Sequence, residues 1–297
     1  MAKRLSKRQL ALRRETLTFL CSSCRSVPLI LAVLGTLVIS VAAAGNSCYR
    51  EQKELARLQP EIEKQKLRLN AAEVEDRRDA VMRLGALRRA EASRAAMPAL
   101  ADLSPIVRVA AAIAVGSLPA DENAALLAPL LIDKDPFVRQ EVAYALGSAH
   151  NHRAVAALIE RLSVDKEAGV RGAAAVALGM IGDEVAIVPL AQVLSPASST
   201  PRGARRTKVK ENGFVMRAVA HALGEIRSRA GVPALIEVLS NDSLADDIRR
   251  EAAQSLGQIA DPSASPALRA AMSGHDPHLS RIALQALHKI ELAKAQP

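Results

Sequence analysis

The chain contains very few aromatic residues. Its 297 residues include three phenylalanines, two tyrosines and no tryptophan. Proteins that bind single-stranded nucleic acid stack bases on aromatic side chains, and this sequence cannot supply a platform of that kind. The formal net charge of +9 is also unevenly distributed, since residues 1–45 contribute +6, residues 195–210 contribute +5, and the remainder carries −2. We therefore expect no nucleic acid among the partners of this protein.

Cysteine is scarce, and all three cysteines lie within the first 48 residues. Cys21 and Cys24 have the spacing of a redox motif but do not lie in a strand–helix unit. Two ligands alone do not make a zinc site. Unmodified thiols and acylation beside a membrane segment both fit this pair. On an oxidising side of a membrane, Cys48 could cross-link to its own copy in a homodimer.

The sequence shows few signs of catalysis. No glycine-rich phosphate loop follows a strand, because the chain reads as helical, and none of the six histidines is followed by glutamate. His150 and His152 fall in a predicted turn between helices, where neighbouring histidines are usually exposed. We expect no catalytic residue, no cofactor and no metal.

The sequence does contain a helical repeat motif, here called the repeated phrase, that recurs every 31 to 33 residues. In each copy an arginine lies eight residues before a glycine, Leu or Val precedes the glycine, and small apolar residues lie four and five positions before it. Self-similarity at this period indicates a solenoid, in which each repeat buries its apolar face against the next. The five regular copies are Arg77–Gly85, Arg108–Gly116, Arg139–Gly147, Arg171–Gly179 and Arg249–Gly257, and two degraded copies are Met216–Gly224 and Ser280–His288.

The spacing within one copy predicts its local structure. Positions five, four and one before the glycine share one helical face and are predicted to be core, as with Leu178. Asp135 and Pro136 fit the N-cap and the first turn of a helix. The glycine fits a left-handed C-terminal cap. Internal prolines are expected to bend the second helix of several repeats, and these are Pro129, Pro189, Pro233 and Pro266.

The segment Val170–Gly179, with the sequence VRGAAAVALG, resembles the HEAT-like repeats of the phycobilisome-lyase type. The resemblance covers roughly residues 70–290. It implies an all-α fold, a right-handed α-solenoid of about six helical hairpins with a terminal helix, and a ladder of Asp–Arg pairs. The local candidates for that ladder are Asp135 with Arg139 and Asp247 with Arg249. HEAT-like iron hydroxylases use His-Glu pairs as metal ligands, and this chain has none.

Residues 27–44 carry no charged side chain and would span about 27 Å as a helix, close to the roughly 30 Å of a bilayer core. This pattern predicts a membrane-spanning helix over residues 27–45, after a basic cytoplasmic tail over residues 1–26. Seven basic residues precede the span and five follow it, which favours a single-pass protein with an extracytoplasmic solenoid. A cleavable signal peptide is the alternative, and a lipoprotein signal fits less well.

Residues 46–69 link this predicted span to the repeats and read as a helical stalk. Leu55, Leu58, Ile62 and Leu69 have the a-and-d spacing of a short coiled coil, with Gln65 at the intervening position. Pro60 is expected to kink the helix or restart it. The stalk fits two compatible interpretations, a homodimer contact and a cap on a solenoid over residues 70–292.

A basic insert over residues 195–211 interrupts the repeats, with the composition of a loop. Insertions in solenoids often contact the ligand. The insert could therefore meet an acidic partner, or it could be a solvated loop without a role. Its cationic residues are Arg202, Arg205, Arg206, Lys208 and Lys210.

The binding surface of the solenoid is predicted at positions seven and three before the glycine, because these vary between copies and lie one helical turn apart. In the first four copies these positions are mostly apolar. In the last three they are basic and polar, which predicts an acidic protein partner. The predicted ridge consists of Arg78, Met82, Val109, Ile113, Gln140, Tyr144, Gly172, Val176, Arg217, His221, Arg250, Gln254, Arg281 and Gln285.

The function expected from these features is that of a membrane-anchored HEAT-repeat scaffold for protein–protein interaction. The alternative is an enzyme or enzyme-accessory protein of the bilin-lyase group or of the hydroxylase-like HEAT oxidoreductases. The resemblance alone implies this alternative.

Overall fold

The computed structural model describes residues 53–194 and 212–295, all of them in helices, turns or irregular segments. The chain divides into two units, Met1–Glu63 and Lys64–Pro297. A helix over residues 53–68, here α1, runs through Pro60 without interruption. Its least exposed positions are those of the predicted heptad face, with Ile62 and Gln65 buried. Pairing of this helix with a second copy stays a prediction.

The helices of the second unit fall into two alternating rows. Row A carries the repeated phrase, and row B consists of the helices between. Row A comprises α2 (Val74–Ala86), α4 (Pro105–Ala114), α6 (Pro136–Ser148), α8 (Ala168–Ile181), α10 (Gly213–Ile226), α12 (Asp246–Ile259) and α14 (Pro277–Ala295). Row B comprises α3 (Ala90–Ala96), α5 (Ala120–Leu127), α7 (Val155–Val164), α9 (Ile187–Leu194), α11 (Val232–Ser240) and α13 (Ser265–Met272).

Short 3-10 turns begin or extend several of these helices. Met97–Ala101 and Ala128–Ile132 continue α3 and α5, and Val115–Ser117 continues α4. His152–Ala154, Glu184–Ala186, Arg229–Gly231 and Pro262–Ala264 lead into α7, α9, α11 and α13.

Each row A helix packs against the next row A helix, and the row B helices pack against neighbouring row A helices. The prediction of an all-α solenoid is therefore confirmed. The described helices form six A–B pairs followed by α14. The handedness of the superhelix stays a prediction.

The predicted single-pass membrane localisation is corrected. Across residues 53–194 and 212–295, none of the helices has both the length and the apolar character needed to cross a bilayer. The segment 27–45 to which the prediction applied lies outside the described residues, as do the tail over residues 1–26 and all three cysteines.

The predicted core register is confirmed. Leu84, Leu146, Leu178 and Leu256, which all directly precede the repeat glycine, have no exposed surface. Positions five and four before the glycine are also buried in the regular copies, mostly as alanine or valine. Small residues at these positions let neighbouring row A helices approach closely.

The role predicted for the repeat glycine is wrong. The glycine lies inside or near the end of its helix with ordinary backbone angles, and the left-handed residue comes three positions later. The left-handed residues are Arg88, His150, Gly182, Arg227 and Ala260. The glycine is instead required by its neighbour. A Cβ on Gly147 would lie 2.6 Å from the backbone of Ala177, and one on Gly179 would lie 2.8 Å from that of Ala222.

The second repeat departs from this pattern. A Cβ on Gly116 would meet nothing within 4 Å, whereas its counterparts in the other described copies would collide with the next row A helix. Three residues later stands Pro119, which cannot adopt a positive φ. Helix α4 accordingly ends at Ala114 and is followed by a 3-10 turn. We expect the A–A contact to be less tight here than elsewhere in the stack.

The arginine that lies eight residues before the repeat glycine can connect the turn before its own helix to the turn before the next row A helix. Arg108 is an example. Nη1 of Arg108 donates to the backbone carbonyls of Asp102 and Leu103 at 2.8 and 3.1 Å, in the turn before its own helix. Nε and Nη2 donate to both carboxylate oxygens of Asp133, each at 2.8 Å, in the turn before the next row A helix. Asp133 also accepts from the amide of Asp135 at 2.9 Å.

The same arrangement recurs in the neighbouring repeats. Arg77 holds Asp102 at 2.7 and 3.1 Å, and Arg139 holds Asp165 at 2.8 Å through two bonds. Arg171 bonds the carbonyls of its own turn, and the turn after it lies in residues 195–211, outside the described chain.

The ladder exists, but its predicted pairs are wrong. Asp135 does not pair with Arg139; it caps α6 by accepting from the amides of Phe137 and Val138, which confirms its predicted N-cap role. Asp247 pairs with Arg217 at 3.0 Å, 30 residues away in sequence. Arg249 instead contacts Asp242 at 2.7 Å. In the first three repeats the ladder joins one repeat to the next, whereas the predicted pairs lie within one repeat.

The internal prolines lie at or near the starts of helical segments, and the bending expected from them stays a prediction. Pro233 and Pro266 occupy the first turn of α11 and α13, and Pro129 occupies the first turn of the 3-10 segment after α5. Pro189 is the third residue of α9. A proline in a first turn sacrifices no helical hydrogen bond, so these residues mark helix starts.

A matched pair of glycine substitutions tests the A–A packing. Gly147→Ala should destabilise the protein by roughly 1–3 kcal/mol, because its Cβ meets backbone atoms of Ala177 that cannot easily move. Gly116→Ala should be neutral or stabilising, since alanine favours a helix and the space is open. Urea unfolding followed by circular dichroism measures both. Equal losses would contradict the packing described.

A second pair tests the ladder. The side chains of Arg108 and Asp133 are 7% and 9% exposed. Arg108→Met should cost roughly 3–5 kcal/mol of unfolding free energy, because it leaves a buried carboxylate without its partner. Arg94 and Glu122 form a similar pair that is 48% and 33% exposed, so Arg94→Met should change the unfolding free energy much less. If the two substitutions have the same effect on urea unfolding, the ladder is not stabilising.

The ladder also predicts acid sensitivity. The guanidinium of Arg77 lowers the pKa of Asp102 most strongly; burial opposes this, and the amide of Ser104 adds to it. A carboxyl with a lower pKa in the folded state stabilises it fully above its unfolded pKa of about 3.9, and this contribution is lost as pH falls through the folded value. Wild type should therefore exceed Asp102→Asn in thermal stability at pH 7, and the gap should narrow below about pH 4. A gap independent of pH would contradict this assignment.

Candidate functional site

The exposed face of row A contains the ridge predicted from sequence. Position three before the glycine is at least partly exposed in every described copy, and its residues are Met82, Ile113, Tyr144, Val176, His221, Gln254 and Gln285. Position seven is less uniform. Val109 and Gly172 are buried there, while Arg78, Gln140, Arg217, Arg250 and Arg281 are half-buried or exposed.

A third position, which sequence reasoning missed, completes the face. Ten residues before the glycine stand Ile106, Phe137 and Phe214, each with between a third and a half of its surface exposed. Position ten lies on the same helical face as positions seven and three, by the i, i+3, i+7 spacing. Each aromatic residue in the described part of the chain, Phe137, Tyr144 and Phe214, belongs to this face. Their spacing in sequence relative to position three was the signal that could have revealed it.

A groove opens at the N-terminal end of the face, with a volume of about 770 Å³. Helices α2 and α4 form its walls, and Phe137 of α6 closes one side. Its apolar lining combines a buried floor, which includes Val109, with the exposed side chains of Met82 and Ile113. A groove of this size and polarity is typical of a binding site.

Two arginines lie at the groove, and no acidic residue is among its described lining residues. Arg78 pairs with Glu75 at 3.0 Å, but both side chains are largely exposed, so this bond is weak and easily exchanged. Arg88 is exposed in the left-handed turn after α2 and makes no ion pair with the described part of the chain.

In the middle of the face, large side chains pack directly against glycines. The ring of Phe214 lies against Gly172, where a Cβ would come within 2.3 Å of the ring. Gly169 makes room in the same way for the side chain of Gln140. Burial, and then the charge of Glu141, raises the pKa of the neighbouring Tyr144. This part of the face presents aromatic and apolar surface without a net charge.

The C-terminal part of the face carries cations that are mostly paired. Arg217 contacts Asp247 at 3.0 Å, and Arg250 contacts Asp276 at 2.6 Å. The hydrogen bond to Asp276 raises the pKa of Arg250, and the same bond lowers the pKa of Asp276. His221 contacts Glu251 at 2.9 Å. Most basic residues of the predicted ridge are therefore in contact with a carboxylate of this protein.

The remaining predicted residues divide into two groups. Gln254 and Arg281 are exposed on the same face, and Arg281 approaches His278 at 3.4 Å. The cationic insert lies outside the described residues, so its position relative to the face is not defined. That group comprises Arg202, Arg205, Arg206, Lys208 and Lys210.

The described residues contain no group of three or more histidine, cysteine, aspartate or glutamate side chains arranged to hold a metal ion. The histidines predicted to lie in a turn make separate contacts. His150 bonds the carbonyl of Met180 at 2.6 Å, and His152 bonds Asp183 at 2.9 Å. Both contacts join one repeat to the next and support the stack.

Comparison with solved structures finds similarity to several proteins. Human deoxyhypusine hydroxylase is 22% identical over 78% of this chain and 84% of its own, with a TM-score of 0.39. The CpcE–CpcF phycocyanin lyase complex from Nostoc sp. PCC7120 is 24% identical over 80% and 88%, with a TM-score of 0.46. An engineered protein is 21% identical over 77% and 68%, with a TM-score of 0.48. No curated protein sequence matches.

Family models give a clearer result. A model of HEAT repeats matches residues 64–147, 124–207 and 232–297. A model of the PBS lyase HEAT-like repeat matches residues 216–241. Because the HEAT-repeat matches together cover more than half of the chain, this protein belongs to the HEAT-repeat family.

Proposed function

We propose that this protein is a scaffold that binds another protein through the exposed face of row A, with the groove between α2 and α4 as its main anchoring site. The observation that carries the proposal is this apolar groove of about 770 Å³, which contains Met82, Ile113 and Phe137 with much of their surface exposed. Exposed apolar surface that is concave and grouped is typical of a site where a partner docks.

The distribution of aromatic residues supports the same face. The chain has few aromatic side chains, yet Phe137, Tyr144 and Phe214 all lie on this face at positions where they are not needed to fill the core. Aromatic residues are enriched in protein interfaces because they bury a large area with few rotatable bonds. A solenoid stabilised by Ala and Leu alone would not require them there.

The arginines best placed to contact an acidic partner are not those predicted from sequence. Arg250 already contacts Asp276, whose side chain is 8% exposed, so it offers little charge to a ligand. Arg217 and Asp247 form an exposed pair like Arg78 and Glu75, so this bond is equally exchangeable, but it lies away from the apolar groove. Arg281 and the insert remain as cationic candidates for that end of the face. The arginines at the groove, Arg78 and Arg88, are better placed to contact an acidic group on the partner.

The alternative function, an enzyme or enzyme-accessory protein of the bilin-lyase or hydroxylase-like group, stays a prediction. Two proteins of similar fold are named as a hydroxylase and a lyase, but likeness at TM-scores of 0.39 and 0.46 carries no argument about activity. No arrangement of side chains in the described residues favours it.

A matched pair of charge substitutions tests the proposed face. Ile113 in the groove and Val188 on α9 of row B are 62% and 64% exposed, so glutamate at either position should leave folding unchanged. Ile113→Glu should reduce capture of the partner about tenfold or more, because it places a charge at an apolar contact. Val188→Glu should retain capture.

The measurement is affinity capture with the full-length protein from its own cells, quantified by mass spectrometry for wild type and both variants. Circular dichroism confirms that the variants are folded. If the captured proteins are the same with Ile113→Glu as with wild type, or are lost equally with Val188→Glu, the face is assigned wrongly.

A further inference from the structure

We infer that the groove between α2 and α4 accepts a linear segment of a partner protein in which apolar side chains stand next to aspartate or glutamate. This inference rests on the proposed function and adds the chemistry of the partner. It depends on three features of the groove: its apolar floor, the charges at its edge, and the uncharged surface that continues from it.

The floor selects apolar side chains. Val109 and Ala110 are buried at its base, and Met82 and Ile113 project from its walls with more than half of their surface exposed. Phe137 lies at the far side and is 48% exposed. Water in contact with this surface is released when apolar side chains of a ligand replace it, which favours binding in proportion to the apolar area covered.

The edge selects negative charge. Arg78 and Arg88 are the charged side chains among the described residues that line the groove. Arg88 lacks an ion pair in the described part of the chain, and Arg78 contacts only the exposed Glu75. A carboxylate on a bound segment could take bonds from either guanidinium without breaking a buried pair, and charge-assisted bonds of this kind are among the stronger ones.

The surface beyond the groove indicates which part of a bound segment should carry its acidic residues. From Phe137 the face continues through Tyr144, Val176 and Phe214, which carry no charge. Farther along, Arg250 is paired with Asp276, whose side chain is 8% exposed, whereas Arg217 pairs with Asp247 as exposed side chains. The cations that lie at the apolar groove itself are Arg78 and Arg88, at its α2 end. A segment that extends along the face should place its acidic residues there and its uncharged residues over α6 to α10.

The charge of this chain argues against an occupant from its own undescribed segments. Residues 1–45 carry a net charge of +6, and residues 195–210 carry five basic residues and no acid. Arginines at the edge of the groove would repel both. The observations therefore favour a partner of opposite charge over these segments.

The test uses the full-length protein and a displayed library of random peptides. Peptides that bind should be enriched in leucine, isoleucine or phenylalanine together with aspartate or glutamate. Fluorescence anisotropy with one selected peptide then measures affinity. Ile113→Glu should weaken binding about tenfold or more, because it places a carboxylate in the apolar groove.

Substitutions at Arg88 isolate the charge preference. Its φ of 50° is tolerated by Asn and Asp, so Arg88→Asn and Arg88→Asp change charge without adding backbone strain. Arg88→Asn should weaken the acidic peptide about threefold or more, and Arg88→Asp should weaken it further. Replacing the acidic residues of the peptide by lysine should restore binding to Arg88→Asp. Arg269, an exposed arginine on α13, provides the control, and Arg269→Asp should leave affinity unchanged.

The outcomes separate the two proposals. Peptides that are sensitive to Ile113→Glu but show neither acidic enrichment nor sensitivity at Arg88 would overturn the charge preference and leave the proposed face intact. Peptides that bind regardless of Ile113→Glu would overturn the face itself. A library that yields no peptide tighter than about 100 µM would overturn the linear segment as occupant. A dimer in sedimentation that Ile113→Glu dissociates would assign the groove to a second copy.

Discussion

The structure depends on an arginine that holds two successive turns at once, as Arg77, Arg108 and Arg139 do in the first three repeats. Arg108 shows the arrangement most clearly: one amino group of its guanidinium bonds the carbonyls before its own helix, and the opposite edge bonds both oxygens of Asp133 before the next. A planar fork of five donors suits this task, whereas lysine could satisfy only part of it. Because the bonds run from one repeat to the next, they fix the distance and the angle between neighbouring row A helices. Burial alone would not specify either with the same accuracy.

Close packing of row A is the second constraint, and it acts through glycine. At Gly147 and Gly179 the next helix approaches so closely that a methyl group would not fit. This contact is missing at Gly116, after α4, and α4 is also one wall of the groove. Pro119 accounts for the difference, because it prevents the left-handed turn that ends the other row A helices. A local departure from the repeat thus coincides with the surface that we propose for binding.

The fold could be predicted from the sequence because its signal is repeated. The core face that includes Leu178 recurs at a fixed period, and the N-cap at Asp135 has counterparts in other copies. A feature that is unclear in one copy can therefore be recognised from the others. The partner of each ladder arginine could not be predicted in the same way. Asp165 lies 26 residues from Arg139, and only the stacking of one repeat on the next makes that pair apparent. The glycine was misread for a related reason, since a cap depends on neighbours in sequence, and close approach depends on neighbours in space.

The candidate site shows that counting arginines along the sequence does not locate the charge that is available to a partner. Arg217 and Arg250 form a positive ridge in sequence, yet their carboxylate partners, Asp247 and Asp276, come from the following repeat. Arg88 attracts no attention in sequence, because it lies three residues after the repeat phrase, and it nevertheless stands without an ion pair in the described chain beside the apolar groove. Charge available to a partner is what remains after the repeats have neutralised one another. Arg78 and Arg88 combine such charge with an apolar groove, so we expect the contact with an acidic segment at this end of the face.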